Sequence, residues 1–147
     1  VINDWGRMWR TTNGGDSWQE IGRSYHPQNP QTFAFVSPEE GFFANGGFIY
    51  RTTDGGTSWQ FCPNTLNTQA IYILNPNNIW AVGLNGVSYH SLDRGQNWQK
   101  IETGQENNLY SVFFTDAQHG WAVGYGGVIL KFCQKTSVQN WTLYDSH

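Results

Sequence analysis

Short apolar runs separated by polar turns organise this chain, and they recur in a fixed order. The first kind of run is near-continuously apolar: Thr32-Phe33-Ala34-Phe35-Val36, Ala70-Ile71-Tyr72-Ile73-Leu74 and Tyr110-Ser111-Val112-Phe113-Phe114. Unbroken β-prone runs of this kind predict strands buried on both faces. Each is followed by a polar turn: Ser37-Pro38-Glu39-Glu40-Gly41, Asn75-Pro76-Asn77-Asn78, and Thr115-Asp116-Ala117-Gln118-His119-Gly120. Pro, Asn, Asp and Gly favour such turns because they fix φ, tolerate positive φ or bond their own backbone. A second strand is expected at Phe42-Phe43-Ala44-Asn45, Ile79-Trp80-Ala81-Val82-Gly83 and Gly120-Trp121-Ala122-Val123-Gly124. Gly46-Gly47, Asn85-Gly86 and Gly126-Gly127 then lead into a third, and such pairs between apolar runs are strong hairpin signals.

That third strand ends in a hairpin that the chain writes several times over. The copies are Arg10-Thr11-Thr12-Asn13-Gly14-Gly15-Asp16-Ser17-Trp18, Arg51-Thr52-Thr53-Asp54-Gly55-Gly56-Thr57-Ser58-Trp59 and His90-Ser91-Leu92-Asp93-Arg94-Gly95-Gln96-Asn97-Trp98. A worn fourth copy ends at Asn140-Trp141. The closing tryptophans stand at 18, 59, 98 and 141, so the repeat is 41, 39 and then 43 residues. A strand-rich repeat of that length predicts a β-propeller, one four-stranded antiparallel blade per copy. The expected fold is all-β: a single domain over 1–147, with a partial blade at 1–22 and further blades at 31–62, 69–101 and 109–144. Val1 aligns with Phe42, so the first repeat lacks its innermost strand, and Trp141-Thr142-Leu143-Tyr144 reads as a last fourth strand. Three readings follow: a piece of a longer propeller, a ring completed by self-association, or a small four-bladed ring. Exposed edges and faces favour the first two.

Composition narrows the function classes. The formal net charge is -3 with charged residues at 13%, which argues against a nucleic-acid partner, since those proteins show a basic excess. No apolar run approaches the roughly 20 residues of a membrane helix. Few lysines and many Trp, Asn and Thr residues suggest an extracytoplasmic or secreted bacterial protein. Cys62 stands where the other copies place Ile21 and Ile101, so it reads as a small core residue. Cys133 is two blades away, too far for a disulfide in a ring of ordinary size. No residue spacing suggests a metal site or a nucleotide loop, and no cofactor is expected.

The Ser/Thr-x-Asp-x-Gly-x-x-Trp hairpin resembles the Asp-box, or bacterial neuraminidase repeat. The wider unit Gly120-Trp121-Ala122-Val123-Gly124 through Gly127-Val128-Ile129-Leu130-Lys131 is similar to the photosystem II assembly/stability factor propellers and their non-photosynthetic bacterial relatives. Thr52, Asp54, Gly56 and Trp59 match every box position, as do Ser91, Asp93, Gly95 and Trp98, while Thr11, Asn13, Gly15 and Trp18 depart only at Asn13. The resemblance implies a propeller with a structural hairpin staple. Box hairpins of this kind occur in sialidases, xyloglucanases and non-enzymatic propellers alike, so the fold does not decide the chemistry.

Box hairpins and first-to-second-strand turns are expected on one face of the ring, and the usual binding funnel on the other. The funnel is built from second-to-third-strand turns and inter-blade connections, where binding residues concentrate. Candidate binding residues are therefore Trp5, Arg7, Arg23, Tyr25, His26 and Tyr125. Arg10, Arg51, His90 and Lys131 precede each box and are read as exposed strand residues whose stems cover aromatics. No catalytic residue is assigned: arginines are few, and the funnel acids Glu102 and Glu106 lie in one loop. The expected function is a non-enzymatic scaffold for assembly or adhesion that binds a protein or peptide. A carbohydrate-binding module or glycoside hydrolase fragment with a glycan ligand is the alternative. A carboxylate pair facing across the funnel would favour the hydrolase.

Overall fold

The computed structural model describes residues 7–23, 32–135 and 138–144. The described residues form four antiparallel sheets. The first holds β1 (Arg7–Arg10) and β2 (Gln19–Arg23). The second blade runs outward from β3 (Thr32–Phe35) through β4 (Gly41–Asn45) and β5 (Phe48–Thr52) to β6 (Gln60–Cys62). The third has β7 (Thr68–Asn75), β8 (Asn78–Gly83), β9 (Ser88–Ser91) and β10 (Gln99–Lys100), and the fourth has β11 (Leu109–Phe114), β12 (His119–Gly124), β13 (Ile129–Lys135) and β14 (Val138–Leu143). Strand β7 packs against β3 on one side and β11 on the other, so the first strands of successive blades lie side by side. This is a partial β-propeller of about four blades.

A two-residue turn joins the second strand to the third in the second, third and fourth blades. Asn85 and Gly86 both take positive φ, at 56° and 67°, which is the backbone that a tight hairpin between right-twisted strands demands. The cores lie between blades and not inside them. One joins Phe42, Ala44, Ile49 and Cys62 of the second blade to Ile71, Ile79, Ala81 and Tyr89 of the third. The other joins Trp80, Val82 and Ile101 of the third to Val112, Phe114, Leu130, Phe132 and Trp141 of the fourth. Polar bonds cross the same seams. Tyr72 donates its hydroxyl to the Phe114 carbonyl at 2.7 Å, and the Trp141 indole donates to Ser88 Oγ at 3.0 Å.

Two expectations are corrected here. In the second and third blades the strand buried on both faces is the second, β4 and β8, and not the first, whereas β12 of the fourth blade is partly exposed. Strand β3 alternates, and β11 does so apart from its bulge, because one face of each lacks a full neighbour among the described residues. The residues before each box are also not a uniform exposed set. His90 is 4% exposed and stacks on Trp80 with ring centroids 3.9 Å apart, since the fourth blade covers both. Arg51 is half-buried and forms an ion pair with Glu40 at 2.6 Å.

Candidate functional site

Each box hairpin is tied by its own side chains. Thr52 Oγ1 donates to Asp54 Oδ1 at 2.8 Å and accepts from the Gly56 amide at 2.9 Å. Asp54 also accepts from the Ser58 amide and hydroxyl at 2.9 and 2.6 Å. The Ser58 bonds hold the Asp54 carboxyl down at about 2. Ser91, Asp93, Gly95 and Asn97 repeat the pattern, with Asn97 in place of Ser58. In the first copy Asn13 Oδ1 accepts from Thr11 at 2.8 Å and from the Ser17 amide at 3.0 Å, so an amide oxygen serves where the other copies use a carboxylate. Trp59 and Trp98 close their loops by donating to the carbonyls of Gly56 and Gly95, both at 3.1 Å.

Blade-to-blade contacts converge on these hairpins. Arg10 Nη1 donates to the Gly55 carbonyl of the next box at 3.4 Å. Glu40, 6% exposed, lies between Arg51 of its own blade and Arg94 in the third blade's box. The bond from Arg94 leads in holding the Glu40 carboxyl below its ordinary value, with Arg51 adding to it against the cost of burial. Cys62 is buried against the same box, and burial pushes its thiol up to about 11, which leaves it inert at neutral pH. Both cysteines are free.

On the opposite face, turns and connections are pinned together. The Leu84 amide donates to the Asn67 carbonyl at 2.8 Å, and the Tyr125 amide to the Asn108 carbonyl at 2.7 Å. Asn108 Oδ1 also accepts from the Asn85 amide at 3.0 Å, so this side chain links the third and fourth blades. Tyr125 stands exposed on that rim. Arg7 and Arg23 are cross-strand partners at the other end of the array, where Arg7 meets Glu20 at 3.5 Å. Trp5, Tyr25 and His26 lie outside the described residues. The described candidates thus fall at two ends of the array.

Sequence reasoning missed a cleft of about 1070 Å³ between the first sheet and the second blade. Trp9, Trp18, Trp59, Phe33 and Phe35 dominate its walls, with Met8, Ile21 and Val36 beside them. Phe33 and Phe35 meet the edge of Trp59 at 6.4 and 6.3 Å, a favourable aromatic arrangement. The signal was available. Phe33 and Phe35 face a repeat that has two described strands, so beyond Trp59 and Phe43 their cover among the described residues is incomplete.

Residues 61–133 match the family model described as photosynthesis system II assembly factor YCF48. The photosystem II assembly lipoprotein Ycf48 of Synechocystis sp. is 38% identical over 66 residues, which are 43% of this chain and 19% of that protein. The photosystem II stability/assembly factor HCF136, chloroplastic, of Guillardia theta is 31% identical over 61 residues, 40% of this chain and 15% of that one. Over residues 61–133 the chain is a photosystem II assembly factor-like BNR β-propeller. A structure of YCF48 bound to D1 peptide superposes on this propeller with a TM-score of 0.70 at 19% identity, covering 97% of the chain and 49% of the other. YCF48 from Cyanidioschyzon merolae gives 0.62 at 20% identity over 97% of the chain and 50% of the other. An ancestral GH74 enzyme gives 0.78 at 21% identity over 95% of the chain and 21% of the other. At these identities the likeness of the solved structures is one of fold. The propeller spans about half the length of the YCF48 structures and matches less than a fifth of the curated relatives.

Proposed function

We propose that this propeller is a non-enzymatic assembly scaffold that holds an extended, apolar protein or peptide segment in the cleft beside the second blade. The observation that carries this reading is the lining of the cleft. It is largely aromatic and aliphatic, and Arg10 and Glu39 are its charged side chains among the described residues. Rigid aromatic walls bind with little loss of side-chain freedom, and mostly apolar clefts with few polar groups are the usual form of binding sites. The YCF48 structure described as bound to D1 peptide supports a peptide partner. The relative named as a lipoprotein supports an extracytoplasmic location.

Aromatic walls also stack on sugars, so a carbohydrate ligand is the second reading, favoured by the likeness to the GH74 fold. Glu39 is the acid among the described residues that line the cleft, and four other acids are engaged elsewhere, which weighs against a facing carboxylate pair there. Glu40 is held by two arginines, Asp54 and Asp93 by their own hairpins, and Glu102 pairs with Lys100 at 2.9 Å.

Tryptophan fluorescence titrations test the choice, using a panel of 15-residue peptides with alternating large apolar side chains beside a panel of β-glucan oligosaccharides. Saturable quenching by peptides is expected. Phe35→Ser should weaken it about tenfold, equal to about 1.4 kcal/mol, without a change in far-UV circular dichroism. Quenching by the oligosaccharides alone would overturn the peptide reading.

A further inference from the structure

Blades two to four each carry a row of cross-strand partners on the face that meets the preceding blade. In the third blade the row is Ile71, Ala81, Tyr89 and Lys100, and in the fourth it is Val112, Ala122, Leu130 and Leu143. In the second blade it is Phe33, Phe43, Tyr50 and Phe61, an aromatic ring on every strand. Registered cross-strand partners share one face of a sheet. The first three members of the other two rows belong to the cores shared with the blade before, so the aromatic row faces the first sheet. What sets the second blade apart is the kind of side chain placed there, whatever its exposure.

The row is joined to the cleft through its rings. Phe43 stacks on Tyr50 with centroids 4.8 Å apart and meets Trp59 edge-to-face at 4.6 Å. Phe33 lies 5.5 Å from Phe43, and Tyr50 lies 6.0 Å from Phe61. Phe33 and Trp59 are walls of the cleft, and the buried Phe43 braces both from behind. Phe33 and Phe35 stand two apart on β3 and each meets Trp59, so this wall repeats at the spacing of alternate residues in an extended chain. Burial alone does not call for four rings here, because aliphatic side chains close the equivalent seams between the later blades. What a ring adds is a quadrupole, negative on its faces and positive at its edges, which makes ring-to-ring contacts worth more than their area.

We propose that the cleft selects extended segments by their aromatic side chains, binding a ring more tightly than a saturated group of the same size. This rests on the reading of the cleft as a peptide site and names the chemistry that the site reads. Phe33 and Trp59 are the specificity-determining residues, since they offer faces and edges to rings two residues apart on the segment. Phe43 is a positioning residue that holds both of them in place.

The test uses two serine-rich peptides of equal length. One carries two phenylalanines two residues apart, and the other carries cyclohexylalanine, the saturated analogue, at the same positions. Each is titrated against the chain by tryptophan fluorescence. The phenylalanine peptide should bind about fivefold more tightly, equal to about 1 kcal/mol. Phe33→Ile gives the row the residue of the third blade. It should reduce that preference to less than about twofold, while the cyclohexylalanine peptide keeps its wild-type affinity to within about twofold. Equal affinities in the wild type, or tighter binding of the cyclohexylalanine peptide, would overturn the proposal and leave the peptide reading standing. So would a Phe33→Ile variant that weakens both peptides alike, the mark of a wall that only packs, or one that keeps the full preference. Binding of neither peptide would overturn both readings.

Discussion

Asp54 shows what a single side chain does in this fold. Its carboxylate accepts from Thr52 and twice from Ser58, and these bonds are made to the charged form. A carboxyl lowered from 3.8 to about 2 stabilises the folded state above pH 3.8, and that contribution is lost as the pH falls through about 2. Asn13 makes the corresponding bonds without a charge. The Asp54→Asn variant should therefore lie within about 1 kcal/mol of the parent at pH 7, on the usual net value of a hydrogen bond. It should also lose less stability between pH 4 and 2, as read by urea unfolding at a series of pH values. An equal loss in both proteins would show that the hairpin bonds are not what titrates.

At the scale of strands and hairpins, the pieces that recur were readable and the pieces that join them were not. Apolar runs, paired glycines and box residues specify β4, β5, β8 and β9 because each depends on neighbours a few residues away. The Glu40–Arg94 contact joins a turn of one blade to the box of the next, 54 positions on, and no local pattern announces it. Neither does the burial of His90, which depends on whether another blade lies over it. The aromatic cleft escaped notice for a related reason: Trp18 and Trp59 were fully explained as hairpin closers, and their outer surfaces had no separate signature. Glu40→Ala should leave two guanidinium groups facing a small cavity and lower stability by about 2 kcal/mol in denaturant unfolding. Combined with Arg94→Ala, the loss should be smaller than the sum of the single changes, because the residues share one interaction. Strict additivity would deny the coupling.

Over the whole molecule, each apolar core is held jointly by two neighbouring blades. No blade can keep its core if its neighbour opens, so among the described residues opening should be hardest in the third blade, which shares a core on each side. Native-state hydrogen exchange should be slowest in β8 and β9, which lie in the third blade between two covered faces, and faster in β1, β2, β13 and β14. Uniform protection across all four sheets would contradict this order. The consequence is that no seam fails alone. A substitution that loosens one seam withdraws cover from both blades that share it, so its cost should be read in the exchange of two sheets and not of one.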